Sequence, residues 1–107
     1  MQSEYVNIKS RDYWVKVVEF LQHNWALIDK TPENTFKIFF FGDTAGVFDE
    51  LEFTSLAEAT EALSRNGFDL YKEESKKFQN FIVRPEPPFY KQPHPNGEIY
   101  SSGRYWK

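Results

Sequence analysis

The stretch SRDYWVKVVEFLQHNWALIDK, residues 10–30, decides how the fold is read. Trp14, Val17, Val18, Leu21, Trp25 and Ile28 recur mostly three and four positions apart, and this spacing predicts one apolar stripe on a helix. Ser10 stands where an N-cap belongs, and Asp12 suits the positive end of a helix dipole. Thr31-Pro32 closes the segment, because a residue before proline is pushed out of helical geometry. Residues 10–30 are therefore expected as an N-terminal helix.

Beyond it, FKIFFF (36–41) reads as a strand with both faces covered. GDTAG (42–46) has turn chemistry, and VFDELEF (47–53) reads as the returning strand of an antiparallel hairpin. Strict alternation places Val47, Asp49, Leu51 and Phe53 on one face, with Phe48, Glu50 and Glu52 on the other. SLAEATEALSRNGF (55–68) predicts a second helix. Ser55 and Glu58 form a capping box, Leu56, Ala59, Ala62 and Leu63 form the buried stripe, and Gly67 supplies a left-handed terminus. A second hairpin is expected from FDLYKEE and KFQNFIV. RPEPPFYKQPHP (84–95) holds five prolines and must run extended or along an edge. Tyr100, Tyr105 and Trp106 are candidates to dock the tail on the body.

At 107 residues the chain has room for one core. The expected fold is a single α+β domain spanning 1–107: an antiparallel sheet of four to five strands, two helices packed on it, and a proline-rich extended tail over 84–107. Its core is expected to include Trp14, Val18, Leu21, Ile38, Phe40, Leu51, Leu63 and Phe68.

The composition narrows the chemistry. There is no cysteine, which excludes disulfides, thiolate metal sites and a thiol nucleophile. The first residues, MQSEYVNIKS, have no apolar core of a signal peptide, and no apolar run is long enough to span a bilayer. A cytoplasmic protein without membrane contact is expected. The two histidines, His23 and His94, have no companions at metal-ligand spacing. GDTAG lacks the Gly-Lys-Ser/Thr of a phosphate loop, and no Gly-x-Ser-x-Gly elbow occurs. No catalytic residue, cofactor or metal is therefore expected, and the protein is read as a binder rather than an enzyme.

The charge is mild overall at −3, but it is unevenly spread. Between Ile38 and Ser64 stand Asp43, Asp49, Glu50, Glu52, Glu58 and Glu61, with no Lys or Arg among them. The flanking segments are neutral or mildly basic. An anionic field of this kind attracts a basic protein surface and speeds encounter. Aromatic residues make up 19% of the chain, and half-exposed rings such as Phe48 and Tyr71 are candidate apolar anchors inside the charged rim. Asp49, Glu50 and Glu52 as a magnesium cluster is the lesser reading, since alternation turns Asp49 away and no base accompanies them. A nucleic-acid-binding tail is the alternative function. Arg84, Lys91, Arg104 and Lys107 interleave there with Tyr90, Tyr100, Tyr105 and Trp106, against a net charge that repels phosphate.

FFFGDTAGVFDELEF (39–53) and NGEIYSSGRYWK (96–107) carry a further impression. A small, cysteine-free, acidic, aromatic-rich α+β domain resembles the immunity proteins of bacterial toxin systems, including contact-dependent growth inhibition. The likeness lies in size, charge and composition across the whole chain. It implies a protein that neutralises a cognate toxin, often a nuclease, by covering its active site or an adjacent surface. The expected binding residues, Asp43, Phe48, Asp49, Glu50, Glu52, Glu58, Glu61 and Tyr71, rest on the charge pattern and its neighbouring rings.

Overall fold

The computed structural model describes residues 5–19, 22–71, 85–92, 99–102 and 106. Seven strands form one sheet: β1 (Tyr5–Val6), β2 (Trp14–Glu19), β3 (Gln22–Lys30), β4 (Phe36–Phe41), β5 (Gly46–Phe53), β6 (Asp69–Leu70) and β7 (Phe89–Lys91). Their order across the sheet is β1-β7-β5-β4-β3-β2-β6. All neighbours are antiparallel except β5 and β7, which run parallel. One helix, α1 (Leu56–Arg65), stands among the described residues. The expectation of four or five strands under two helices is thus overturned.

The difference lies in residues 10–30. In place of a helix they give a strap followed by the β2–β3 hairpin, with Trp14 opposite Ala26 and Val17 opposite His23. Val15, Val17 and Val18 are β-branched, and with Trp14 and Trp25 they favour the extended chain. β3 is buried from His23 through Leu27 without a break. A strand covered on both faces reads as a continuous apolar run, which periodicity cannot separate from a buried helix. Ser10 caps no helix; its backbone N–H donates to Asp29 Oδ1 at 2.8 Å.

Both faces of the sheet are filled. On one face, Ile8 and Tyr13 from the segment between β1 and β2 pack with Val15, Trp25, Leu27, Phe41, Val47 and Phe89. This strap crosses from one edge of the sheet toward the other. On the opposite face, Ala59 and Leu63 of α1 pack with Ala26, Ile38, Phe40, Phe68 and Tyr100. Phe40 is the centre of an aromatic cluster there, with ring centroids 4.5 Å from Tyr100, 5.7 Å from Phe68 and 5.6 Å from Trp106. Phe41 points to the strap face, 4.9 Å from Phe89. The consecutive phenylalanines therefore serve two cores.

A bulge shifts the β4–β5 register. Phe40 faces Asp49, whereas Phe41 faces Val47, so Phe48 is the extra residue. This corrects strict alternation in β5. Val47 joins the strap-face core, Phe48 packs on the helix-face core, and Glu50 lies opposite Phe39 on the strap side.

α1 is capped as its sequence predicts: Ser55 Oγ accepts from Glu58 N at 3.1 Å. Gly67, at φ 88°, closes it, with Phe68 N donating to Leu63 O at 2.9 Å. Ala59, Ala62 and Leu63 are buried, but Leu56 is half exposed, contrary to the expected stripe. Of the expected core, Ile38, Phe40, Leu63 and Phe68 are buried, Trp14 and Leu51 are partly so, Val18 is exposed, and Leu21 lies outside the described residues. Of the second expected hairpin, Asp69–Leu70 joins the sheet beside β2, and 72–84 lies outside the described residues. Phe89–Lys91 of the proline-rich segment pairs with β1 and β5 as β7.

Candidate functional site

The six carboxylates between Ile38 and Ser64 do not make one surface. Asp49 is buried, 7% exposed, among the aromatic rings of the helix face. Its Oδ2 accepts the backbone N–H groups of Tyr100 at 2.6 Å and Ser101 at 2.8 Å, and its Oδ1 accepts that of Glu50 at 2.9 Å. Three N–H donors satisfy a buried charge that has no cationic partner among the described residues. Asp49 anchors the C-terminal segment and leaves the set of contact residues.

Asp43 has a similar task at the β4–β5 turn. Its Oδ2 accepts from His23 N at 3.0 Å, and its Oδ1 accepts from Trp25 Nε1 at 2.9 Å. His23 Nδ1 lies 3.0 Å from the same Oδ1, and because a carboxylate only accepts, that nitrogen carries the ring proton. The clasp ties the turn to the start of β3.

Glu58 and Glu61 ride on α1, over the face opposite to Glu50 and Glu52. Glu58 is engaged locally, its Oε2 accepting from Thr54 Oγ1 at 2.9 Å. Phe48 packs on the helix side, 6.2 Å from the Tyr100 ring. Tyr71 lies next to β6, its ring edge-on to Trp25 at 5.3 Å and its N–H donating to Tyr13 O at 2.7 Å. Phe48 lines one surface pocket together with Glu50, Lys91 and Gln92.

What the structure does bring together is a smaller group on the strap side. Asp29, Lys37 and Glu52 lie directly opposite one another across β3, β4 and β5, and Leu27, Phe39 and Glu50 form the next row. Glu52 accepts a 2.6 Å hydrogen bond from Thr35 Oγ1. Lys37 Nζ is 3.4 Å from Glu50 Oε1, and their side chains are 31% and 51% exposed. Both oxygens of Asp29 are taken by the strap, from Lys9 N at 2.7 Å and Ser10 N at 2.8 Å. Beside these rows opens a groove of about 600 Å³, walled by Asn7, Lys9, Lys37, Phe39 and Glu52 among others.

Sequence reasoning missed Asp29, Lys37 and Phe39 as neighbours of the acids. The pairing of 36–41 with 47–53 would have placed Lys37 against Glu52, since opposite residues share a face. Asp29 was out of reach once residues 10–30 were assigned to a helix.

Two rings of the aromatic tail, Tyr100 and Trp106, pack on the helix-face core. Tyr100 is 3% exposed, its hydroxyl accepts from Asn24 Nδ2 at 2.7 Å, and Trp106 packs on Phe40 and Phe53. Burial pushes the Tyr100 phenol above its usual range; the hydrogen bond from Asn24 opposes this, and the nearby Asp49 charge adds to it. Arg84, Arg104, Tyr105 and Lys107 lie outside the described residues. Among the described residues no group of three or more metal-ligating side chains is assembled, and no helix is long and apolar enough to cross a membrane. No protein-family model, curated protein or solved structure matches the chain.

Proposed function

We propose that the protein is an inhibitor of the immunity type, which captures a basic protein partner through Glu50 and Glu52 on the strap side of β5. One observation carries this reading. Two exposed carboxylates stand two positions apart on one strand face, Glu50 opposite the half-buried Phe39 and Glu52 opposite Lys37; Lys37 makes a long contact with Glu50, and Glu52 accepts from Thr35 Oγ1. Acids at the rim of an aromatic ring steer a cationic surface inward and give it an apolar seat. The docking site is narrower than the charge pattern of the sequence implied, because Asp43 and Asp49 support the fold and Glu58 and Glu61 face elsewhere.

Co-expression with the product of the neighbouring gene, which this reading expects to be a toxin, tests it. Host growth should be restored by the native chain. Glu50→Lys combined with Glu52→Lys should abolish rescue and slow association about tenfold or more at low salt, while the unfolding midpoint stays close to that of the native chain. Equal association rates for the native and reversed chains, or a neighbouring gene product that is not toxic, would overturn it.

A further inference from the structure

We infer that Asn66-Gly67 is a site of self-modification that the native fold holds shut, and that its conversion keeps an opened chain from closing fully again. The inference stands apart from the proposed function. An asparagine followed by glycine is open to deamidation, because glycine puts no side chain in the way of its own backbone nitrogen. The Gly67 nitrogen attacks Asn66 Cγ, its proton leaves with the side-chain nitrogen as ammonia, and a succinimide ring forms. Water then opens the ring to an aspartate or an isoaspartate. No other reactant is needed.

The end of α1 restrains both reacting groups. Asn66 is buried, 5% exposed, at the C-cap. Its Nδ2 donates to Ala62 O at 2.7 Å, and its backbone N–H donates to Ala62 O and Leu63 O at 3.1 and 3.2 Å. The Gly67 N–H, whose proton must be lost for attack, donates to Ser64 O at 3.1 Å. Phe68 fastens the turn from the other side, through its N–H on Leu63 O at 2.9 Å and its ring in the helix-face core. Reaction therefore waits on opening of this turn, and helix ends open locally at less cost than the whole fold. The product does not fit back. A carboxylate has no hydrogen to give Ala62 O, and it brings negative charge to the negative end of a helix at a buried position. An isoaspartate also adds a carbon to the main chain just where Gly67, at φ 88°, closes the helix.

The test follows position 66 of the full chain by peptide mapping and mass spectrometry during incubation in mildly alkaline buffer. Conversion in the folded chain should run about tenfold or more slower than in the same chain unfolded in guanidinium chloride. Leu63→Ala leaves the Asn-Gly pair intact but loosens its turn, and should speed conversion in native buffer. If that variant does not fold, Ser55→Ala, which removes only the cap on Glu58 N, should do the same to a smaller degree. Asn66→Asp should unfold at a lower denaturant concentration than the native chain. Equal rates in the folded and unfolded chains overturn the inference. So does a loosened but folded variant that converts no faster than the native chain, or an Asn66→Asp chain with the native midpoint.

Discussion

The Asp49 carboxylate accepts the backbone N–H of Tyr100 at 2.6 Å across 51 positions of sequence, beside an apolar core. An acid that the sequence presents as a contact residue is thus the anchor of the C-terminal segment. Asp49→Ala would leave three N–H groups without their acceptor and should lower stability by about 3 kcal/mol or more. Asp49→Asn keeps one acceptor oxygen and should cost about half as much. Urea unfolding measures both, and an unchanged midpoint for Asp49→Ala would contradict the anchoring role.

Asp29 fastens the other end of the chain. Its two oxygens hold Lys9 N and Ser10 N, and through them the strap that seats Ile8 and Tyr13. Asp29→Ala should cost about 1–2 kcal/mol, less than Asp49→Ala because the site is partly exposed. Amide exchange should locate the effect: Lys9 and Ser10 should exchange faster while the helix-face amides of Ile38 and Phe40 hold. Uniform acceleration across the sheet would instead mark Asp29 as part of the global core.

Gly46 lies where β5 meets β7. A Cβ there would collide with Gln92 Oε1 and come 2.8 Å from Gln92 Cβ. The tip of a glutamine can swing aside, but its Cβ cannot, so Gly46→Ala should destabilise by about 1–3 kcal/mol. Adding Gln92→Gly should recover much of that loss. A double-mutant cycle reads the coupling, and strict additivity would refute the clash.

The Tyr100 phenol gives a pH signature. Its ionisation is driven upward in the folded chain, chiefly by burial. A group whose folded value is raised contributes fully below its unfolded value, about 10 for tyrosine, and loses that contribution as pH rises through the folded one. The native chain should therefore lose stability above about pH 10 more steeply than Tyr100→Phe, which has no phenol to ionise. Parallel pH profiles for the two chains would count against a perturbed Tyr100.

Local signals in the sequence were read most faithfully where one residue type settles the geometry. Ser55, Glu58 and Gly67 marked both ends of α1, and GDTAG marked the turn between β4 and β5. Residues 14–30 failed for a physical reason: with strap and helix covering opposite sides of β3, alternation vanished from its burial, and chance spacings of three and four imitated a helix. The candidate site was half legible for a related reason. Glu50 and Glu52 follow from alternation, but the bulge at Phe48 and the long-range partners of Asp43 and Asp49 depend on contacts that no local pattern encodes.

The Phe40 cluster gathers Tyr100 and Trp106 from far along the chain. Until those two rings dock, Phe40 has Phe68 against it but neither of them. Long-range closure of this kind slows folding. The interval between the pairing of β4 and the arrival of those two aromatics is when a chaperone would do the most good.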